Sequence, residues 1–288
     1  MIETPNIDST KERSRLSKDE WREYTKNVWY IANTSDLDHP AVFPLEIPHR
    51  LIKLFTFVDE IVLDPFAGLG TTAVAALRLG RRAICVDENP EYVRIMKERL
   101  PRVDDDSLVL RCQDSRNLDF IQNDSVGLVV TSPPYWDKAD YGPRTKNLGN
   151  IENYYEFFNE IRPAFEECYR ILMPGRKLCI VTANVNQYTD QGLLTFPLPA
   201  DFIMQLRDIG FLMINEIIWS KDGTGGKWGS WGKQRPIFGS YPYPPNFYFK
   251  NVHEYILIFA KPSSKVITNP KAKKLADIMP PNKAEMLT

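Results

Sequence analysis

Ile61-Val62-Leu63-Asp64-Pro65-Phe66-Ala67-Gly68-Leu69-Gly70-Thr71-Thr72 leads an apolar run into a glycine turn and then into a helix, and that order decides the fold. Ile61 to Asp64 reads as a buried strand. Pro65 has no amide donor and ends the ladder. Gly68 and Gly70 let the backbone turn tightly and come close to a ligand. The helix expected from Thr71 to Leu79, stopped at Gly80, opens with free amides at its N-terminus. A strand, a tight turn and a helix make the first unit of a parallel, doubly wound sheet.

The same unit recurs downstream. Arg82 to Asp87 is the next strand, and Pro90 opens a helix to about Leu100. Ser107 to Arg111 and Val126 to Thr131 give two more strands, and a long helix spans about Ile151 to Leu172, stopped by Pro174-Gly175. Lys177 to Thr182 is the fifth strand, with a helix following near 200–209. Phe211 to Trp219 and Glu254 to Ala260 are the last two, read as a reversed hairpin at the sheet edge. The expectation is an α/β, mostly parallel, seven-stranded doubly wound sheet with an antiparallel edge strand. Residues 1–28 read as a loosely held polar arm with a short helix near 18–25, and a further helix contains Pro48 to Ile52. Residues 263–288 read as a basic tail, with Lys271, Lys273 and Lys274.

A chain of 288 residues with 43% hydrophobic and 25% charged side chains suits one large globular domain with an appended element. The formal net charge of -1 argues neither for nor against nucleic acid, so any DNA-facing surface must come from local clusters. Lys11, Arg13, Arg15 and Lys18 form one; Lys138, Arg144 and Lys146 a second; Lys221, Lys227, Lys233 and Arg235 a third. The plain reading of each is a solvated face. Cys85, Cys112, Cys168 and Cys179 show no CxxC spacing, which favours reduced thiols and offers no metal site. No leader-like apolar segment and no membrane-length run occurs, so a cytoplasmic protein without a membrane partner is expected.

The ligand chemistry is written in the turns. Asp87 stands at the tip of the second strand, where a carboxylate accepts two hydrogen bonds from a ribose diol. Gly68-x-Gly70-x-x-Ala73 with Asp87 also satisfies a dinucleotide fingerprint, which keeps a nicotinamide oxidoreductase in contention. Against it, Asp64 and Phe66 put a carboxylate and a ring where a pyrophosphate needs room and no negative charge. Those groups suit an ammonium or sulfonium instead. Asp114-Ser115 follows the third strand, where Asp114 either accepts from an adenine amine or caps a turn.

Thr131-Ser132-Pro133-Pro134-Tyr135-Trp136 leaves the sheet in a stiff, extended turn, because two prolines neither continue a strand nor enter a helix. It presents a hydroxyl, carbonyls outside any ladder, and two rings, a combination that can grip a planar amine. Alone, the Pro-Pro pair favours the plainer reading, a rigid connecting loop.

Together the glycine turn and the Ser-Pro-Pro-Tyr turn resemble the amino-methylating DNA methyltransferases, which use S-adenosyl-L-methionine. Phe43-Pro44-Leu45-Glu46-Ile47-Pro48 resembles that family's additional cofactor segment, and Ile217 to Lys221 and His253 to Leu257 its late strands. The resemblance covers about residues 29–261, and Ser-Pro-Pro-Tyr between Thr131 and Trp136 is most similar to the N4-cytosine branch. The order of the motifs departs from many such enzymes, in which the catalytic half comes first. The resemblance implies a methyltransferase domain over 29–262: a cofactor half to about 120, a catalytic half to about 221, and a small target-recognition insert over about 222–250.

It also implies roles. Ser132, Pro133, Pro134 and Tyr135 would form the catalytic turn, with Ser132 and the Pro133 carbonyl accepting the amine hydrogens and Tyr135 stacking on a flipped base. Asp64 and Phe66 would hold the methionine end of the cofactor, Asp87 the ribose and Asp114 the adenine, with Phe43, Pro44, Gly68, Gly70, Thr71, Thr72 and Ser115 completing the site. Trp136 and Trp219 are further stacking candidates, although Trp219 follows two isoleucines and suits a core. Lys138, Arg144, Lys227, Lys233 and Arg235 are candidate DNA contacts. The implied partners are double-stranded DNA, a restriction endonuclease acting on the same site, and, because the insert is short, a second copy of the chain as one way to complete recognition. N6-adenine methylation is the near alternative; an RNA or protein-amide methyltransferase is more distant, and a non-enzymatic DNA-binding module more distant still.

Overall fold

The structure is a computed structural model that describes residues 7–33, 43–101, 106–136, 148–221, 240, 242–245, 249, 251–264, 269 and 271–278. In chain order the elements are helices α1 (Ile7–Arg13) and α2 (Lys18–Tyr24), strand β1 (Val28–Tyr30), α3 (Glu46–Phe55), β2 (Ile61–Asp64), α4 (Thr71–Arg78), β3 (Arg82–Asp87), α5 (Pro90–Arg99), β4 (Leu108–Cys112) and β5 (Val126–Thr131). There follow α6 (Tyr154–Ile171), β6 (Leu172–Thr182), β7 (Val185–Thr189), β8 (Gly192–Phe196), α7 (Leu198–Ile209), β9 (Leu212–Ser220), β10 (His253–Ala260) and α8 (Leu275–Ile278).

Strand order in the main sheet is β1-β9-β10-β6-β5-β2-β3-β4. All six residues of β5 are buried. Val126 and Val129 pack with Phe157, Ile161, Phe165 and Phe202 of α6 and α7, while Leu128 and Val130 pack with Ile47, Leu51, Ala73 and Met96 of α3, α4 and α5. Burial on both faces is why these strands read as unbroken apolar runs. Helix starts follow local chemistry: Asn89 caps α5 by accepting from the Glu91 amide ahead of Pro90, and Asn153 caps α6 by accepting from Tyr155 and Glu156.

The doubly wound α/β sheet is as expected, with four differences. Among the described residues it has eight strands, because Val28 to Tyr30 adds in parallel to β9. The reversed strand is β10, which lies inside the sheet between β6 and β9, antiparallel to both, rather than at an edge. Pro174-Gly175 does not stop α6 from outside; β6 begins at Leu172, directly after the helix, and Pro174-Gly175 forms the irregular step in its pairing with β5. Gly175 takes φ 83° there and donates its amide to the Lys261 carbonyl. Finally, the N-terminal segment is tied down: Ser14 Oγ accepts from the Val58 amide, Lys53 pairs with Glu20, and the Arg50 guanidinium lies over Tyr24.

Candidate active site

The chain runs from β2 to β3 and β4 on one side of the sheet and returns to β5 and β6 on the other, so the strand order reverses between β2 and β5. Ligands of open α/β sheets bind at such a reversal, beyond the carboxyl ends of the strands. There a cleft of about 870 Å³, open mouth included, brings the two turns to one site. Phe66, Gly68, Leu69 and Thr71 line one wall, Asp87, Asn89, Tyr92 and Asp114 another, and Ser132, Pro133, Pro134 and Tyr135 a third.

Gly68 takes φ 51° and donates its amide to Asp87 Oδ2 at 2.9 Å, while the Asn89 amide donates to Oδ1 at 2.9 Å. The Asp87 carboxylate is thereby fixed at the tip of β3, facing the cleft. Phe43 also lines it, whereas Pro44 is buried beside it and accepts from the Ile47 amide as α3 begins. Gly70, at φ 79°, turns the chain into α4 without lining the cleft.

Several expected ligand groups are turned to structural work instead. Asp64 is 1% exposed and does not reach the cleft; Phe66 N–H and Thr131 Oγ1 donate to its Oδ1 and Thr72 Oγ1 to its Oδ2. Burial pushes its carboxyl up to about 6 in spite of these three donors. Asp64 and Thr72 therefore hold the glycine turn in place from behind; neither lines the cleft. Ser115 lines the cleft but donates its hydroxyl to the Pro65 carbonyl. Asp114 lines it too, with both oxygens engaged by Arg116, which also pairs with Glu160. The turn-forming reading of Asp114 holds, since it accepts from the Arg116 amide.

The stacking candidates separate cleanly. Tyr135 lines the cleft, half-buried. Trp136 does not: it takes φ 52°, turns its ring inward against Tyr154 and Phe196 with centroids at 5.2 and 4.7 Å, and donates Nε1 to the Glu152 carbonyl. A positive φ is strained for a bulky residue and persists because these contacts over-determine it. Trp219 is 2% exposed, with Nε1 donating to the Ile31 carbonyl at 2.8 Å, so it belongs to the core. Lys138, Arg144, Lys227, Lys233 and Arg235 lie outside the described residues, as does most of the insert.

Other residues reach the site without having been expected there. Glu88, Asn89, Tyr92 and Leu148 line the cleft; Glu88 and Asn89 directly follow Asp87 and Tyr92 lies in the first turn of α5, positions that could have flagged them. Glu254, at the start of β10, accepts from Tyr135 Oη at 2.9 Å and pairs with Lys221 just beyond β9. Nothing local in the sequence signals a contact between residues 119 positions apart.

The sequence matches the DNA methylase family, of N6 and N4 type, over residues 2–98 and 126–285. The chain belongs to that DNA methylase family. It is 43% identical over 91 residues to the type II methyltransferase M.BglI of Bacillus subtilis, covering 31% of this chain and 26% of that protein. It is 31% identical over 170 residues to the type II methyltransferase M.MjaI of Methanocaldococcus jannaschii, covering 51% of this chain and 54% of that one. A crystal structure from Thermus thermophilus, provisionally described as a DNA modification methylase and complexed with S-adenosyl-L-methionine, is 33% identical over 55% of each chain, with a TM-score of 0.38. The DNA methylase thus spans between about a quarter and about half of the type II relatives it matches.

Proposed function

We propose that this DNA methylase moves a methyl group from S-adenosyl-L-methionine to the exocyclic N4 amine of a cytosine flipped out of a specific duplex DNA sequence. The observation that carries the reading is the meeting of the glycine turn and Asp87 with Ser132 and Pro133 in one cleft. The donor set fits the cofactor: a close-approach backbone at Gly68, a fixed carboxylate at Asp87 for a ribose diol, and aromatic walls at Phe66 and Tyr92. Gly68, Asp87 and Phe66 would hold it, with Asp114 toward the adenine. Bound there, it supplies an electrophilic methyl group.

The chain's own residues then act on the amine. Delocalisation into the ring makes that nitrogen a poor nucleophile. Ser132 Oγ and the Pro133 carbonyl, which enters no backbone bond among the described residues, accept its hydrogens and favour a pyramidal nitrogen. Catalysis is then positioning and electrostatics, and Tyr135 supplies a ring face for the base.

Ser132 supports cytosine over adenine. Its flanks add less than the sequence suggests, because Thr131 is bonded to Asp64 and Trp136 is buried in the core. The type II names of M.BglI and M.MjaI favour a restriction endonuclease with the same target as the partner, and pairing with a second copy would extend a short insert. Among the described residues no helix is long and apolar enough to cross a membrane. Nucleoside mass spectrometry of duplex DNA incubated with the protein and S-adenosyl-L-methionine tests the reading. N4-methylcytosine is expected; N6-methyladenine alone overturns the cytosine assignment, and transfer to RNA or protein but not to DNA overturns the substrate.

A further inference from the structure

A second, more open pocket adjoins the cleft on the far side of Tyr135, lined by Asn184, Asn186, Lys221, Asn251, His253 and Glu254 among others. Its floor makes a directional chain of hydrogen bonds. Lys221 pairs with one oxygen of Glu254. Tyr135 Oη lies 2.9 Å from the other, Oε2, and Ser132 Oγ lies 3.3 Å from Tyr135 Oη. The Lys221–Glu254 pair is partly buried, with side chains 26% and 15% exposed, and Lys221 Nζ also sits 4.6 Å over the Trp219 ring.

The polarity of this chain follows from proton counting. An ionised carboxylate has no proton to give, so Tyr135 must donate to Glu254. A phenol has one proton, so Tyr135 then meets Ser132 as an acceptor. Ser132 in turn spends its only proton on Tyr135, which leaves both lone pairs of its oxygen to accept. No donor among the described residues reaches them, and Ser132 lines the cofactor cleft.

We propose that Glu254, held by Lys221, is a positioning residue that acts through Tyr135 to commit the Ser132 hydroxyl as a hydrogen-bond acceptor for the substrate amine. Without Glu254 the Tyr135 proton is free to point at Ser132, and Ser132 is free to present its own hydrogen to the amine, which cannot use it. Glu254 touches neither substrate nor cofactor in this role. The inference rests on the amine-methylation reading above.

The experiment measures DNA methylation kinetics and S-adenosyl-L-methionine affinity for the full-length wild type, Glu254→Ala, Glu254→Gln, Tyr135→Phe and the double variant Glu254→Ala with Tyr135→Phe. Glu254→Ala should lower kcat about tenfold or more while KM for DNA and cofactor affinity move less than about twofold. Glu254→Gln keeps an oxygen that accepts from Tyr135 and should retain most of kcat; should Glu254→Ala fail to fold, this variant and Tyr135→Phe against wild type carry the test. In the Tyr135→Phe background, removing Glu254 should cost little more, because both act on one bond. Raised KM for DNA at unchanged kcat would make Glu254 a DNA contact and overturn the proposal. So would fully multiplicative losses in the double variant, or a Glu254→Gln enzyme as slow as Glu254→Ala. A wild type that transfers no methyl group to DNA overturns the underlying reading, whereas an active wild type with an unimpaired Glu254→Ala overturns this proposal alone.

Discussion

The Thr131 hydroxyl donates to Asp64 Oδ1 at 2.7 Å, so the last residues of the neighbouring strands β5 and β2 share one buried carboxylate. Thr72, at the start of α4, holds the other oxygen of the same group at 2.6 Å. The glycine turn and the Ser-Pro-Pro-Tyr turn are therefore pinned to a common carboxylate, and a shift in one displaces the other.

Thr131→Val keeps the shape of the side chain and removes that pin. It should cost about 1–3 kcal/mol of unfolding free energy, the range for a buried acceptor that loses its donor. Denaturant unfolding reads this directly. Ser132→Ala, one residue on and facing the cleft, should stay within about 0.5 kcal/mol of wild type while kcat falls about a hundredfold or more. Equal stability losses for the two would refute the division of labour.

Asp64 also gives a pH signature. Its carboxyl is pushed from an ordinary value of 3.8 up to about 6 by burial. Between those values the folded state binds a proton that the unfolded chain has released, so stability from this group is fully present below 3.8 and is lost as pH rises through about 6. The two-unit gap is worth about 3 kcal/mol. Asp64→Asn does not titrate, so the unfolding free energy of wild type minus that of the variant should fall by about that amount from about pH 3.5 to about pH 6.5. A flat difference across the range would contradict the buried, proton-binding carboxyl.

Trp136 and Tyr135 are adjacent but should fail differently. Trp136→Ala empties a packed site and should destabilise the fold by about 3–5 kcal/mol. Tyr135→Ala removes a half-buried ring at the cleft and should mainly reduce turnover. Melting curves and methylation rates on the same preparations separate the two. A Trp136→Ala protein with wild-type stability and no activity would restore Trp136 to the base-stacking role.

Gly70 tests backbone against packing. Its φ of 79° disfavours any side chain, and an added Cβ would stand 3.1 Å from Met96 Cγ. Gly70→Ala should cost about 1–3 kcal/mol. Because the Met96 side chain is flexible, strain should dominate, and Gly70→Asn, which tolerates the left-handed region, should cost less than Gly70→Ala. The reverse order would assign the cost to crowding.

What was legible in the sequence is what local chemistry dictates. Val126 to Thr131 reads as a strand because both of its faces are covered, and the start of α5 is written in Asn89-Pro90. The two turns could be assigned to one site because strand–turn–helix units fix the sheet edge they emerge from. Illegible features depend on distant partners. Val28 to Tyr30 is too short to announce itself and becomes a strand only by pairing with β9. The β7–β8 hairpin mixes polar and apolar residues and is only partly buried, so no long apolar run betrays it. The inward turn of Asp64 needs Thr131, and the bond between Glu254 and Tyr135 needs a strand inserted between β6 and β9, neither visible from spacing.

That inserted strand has one more consequence. Because β10 runs against its neighbours, Ser220 and His253 face each other in register, and the chain between them departs and returns at the same rim that carries the Ser132 turn. Length and composition between those two anchors can change without altering a single rung of the sheet. A segment exchanged between Lys221 and Val252 would therefore leave the pairing of β9 with β10, and the rim it forms, as they are.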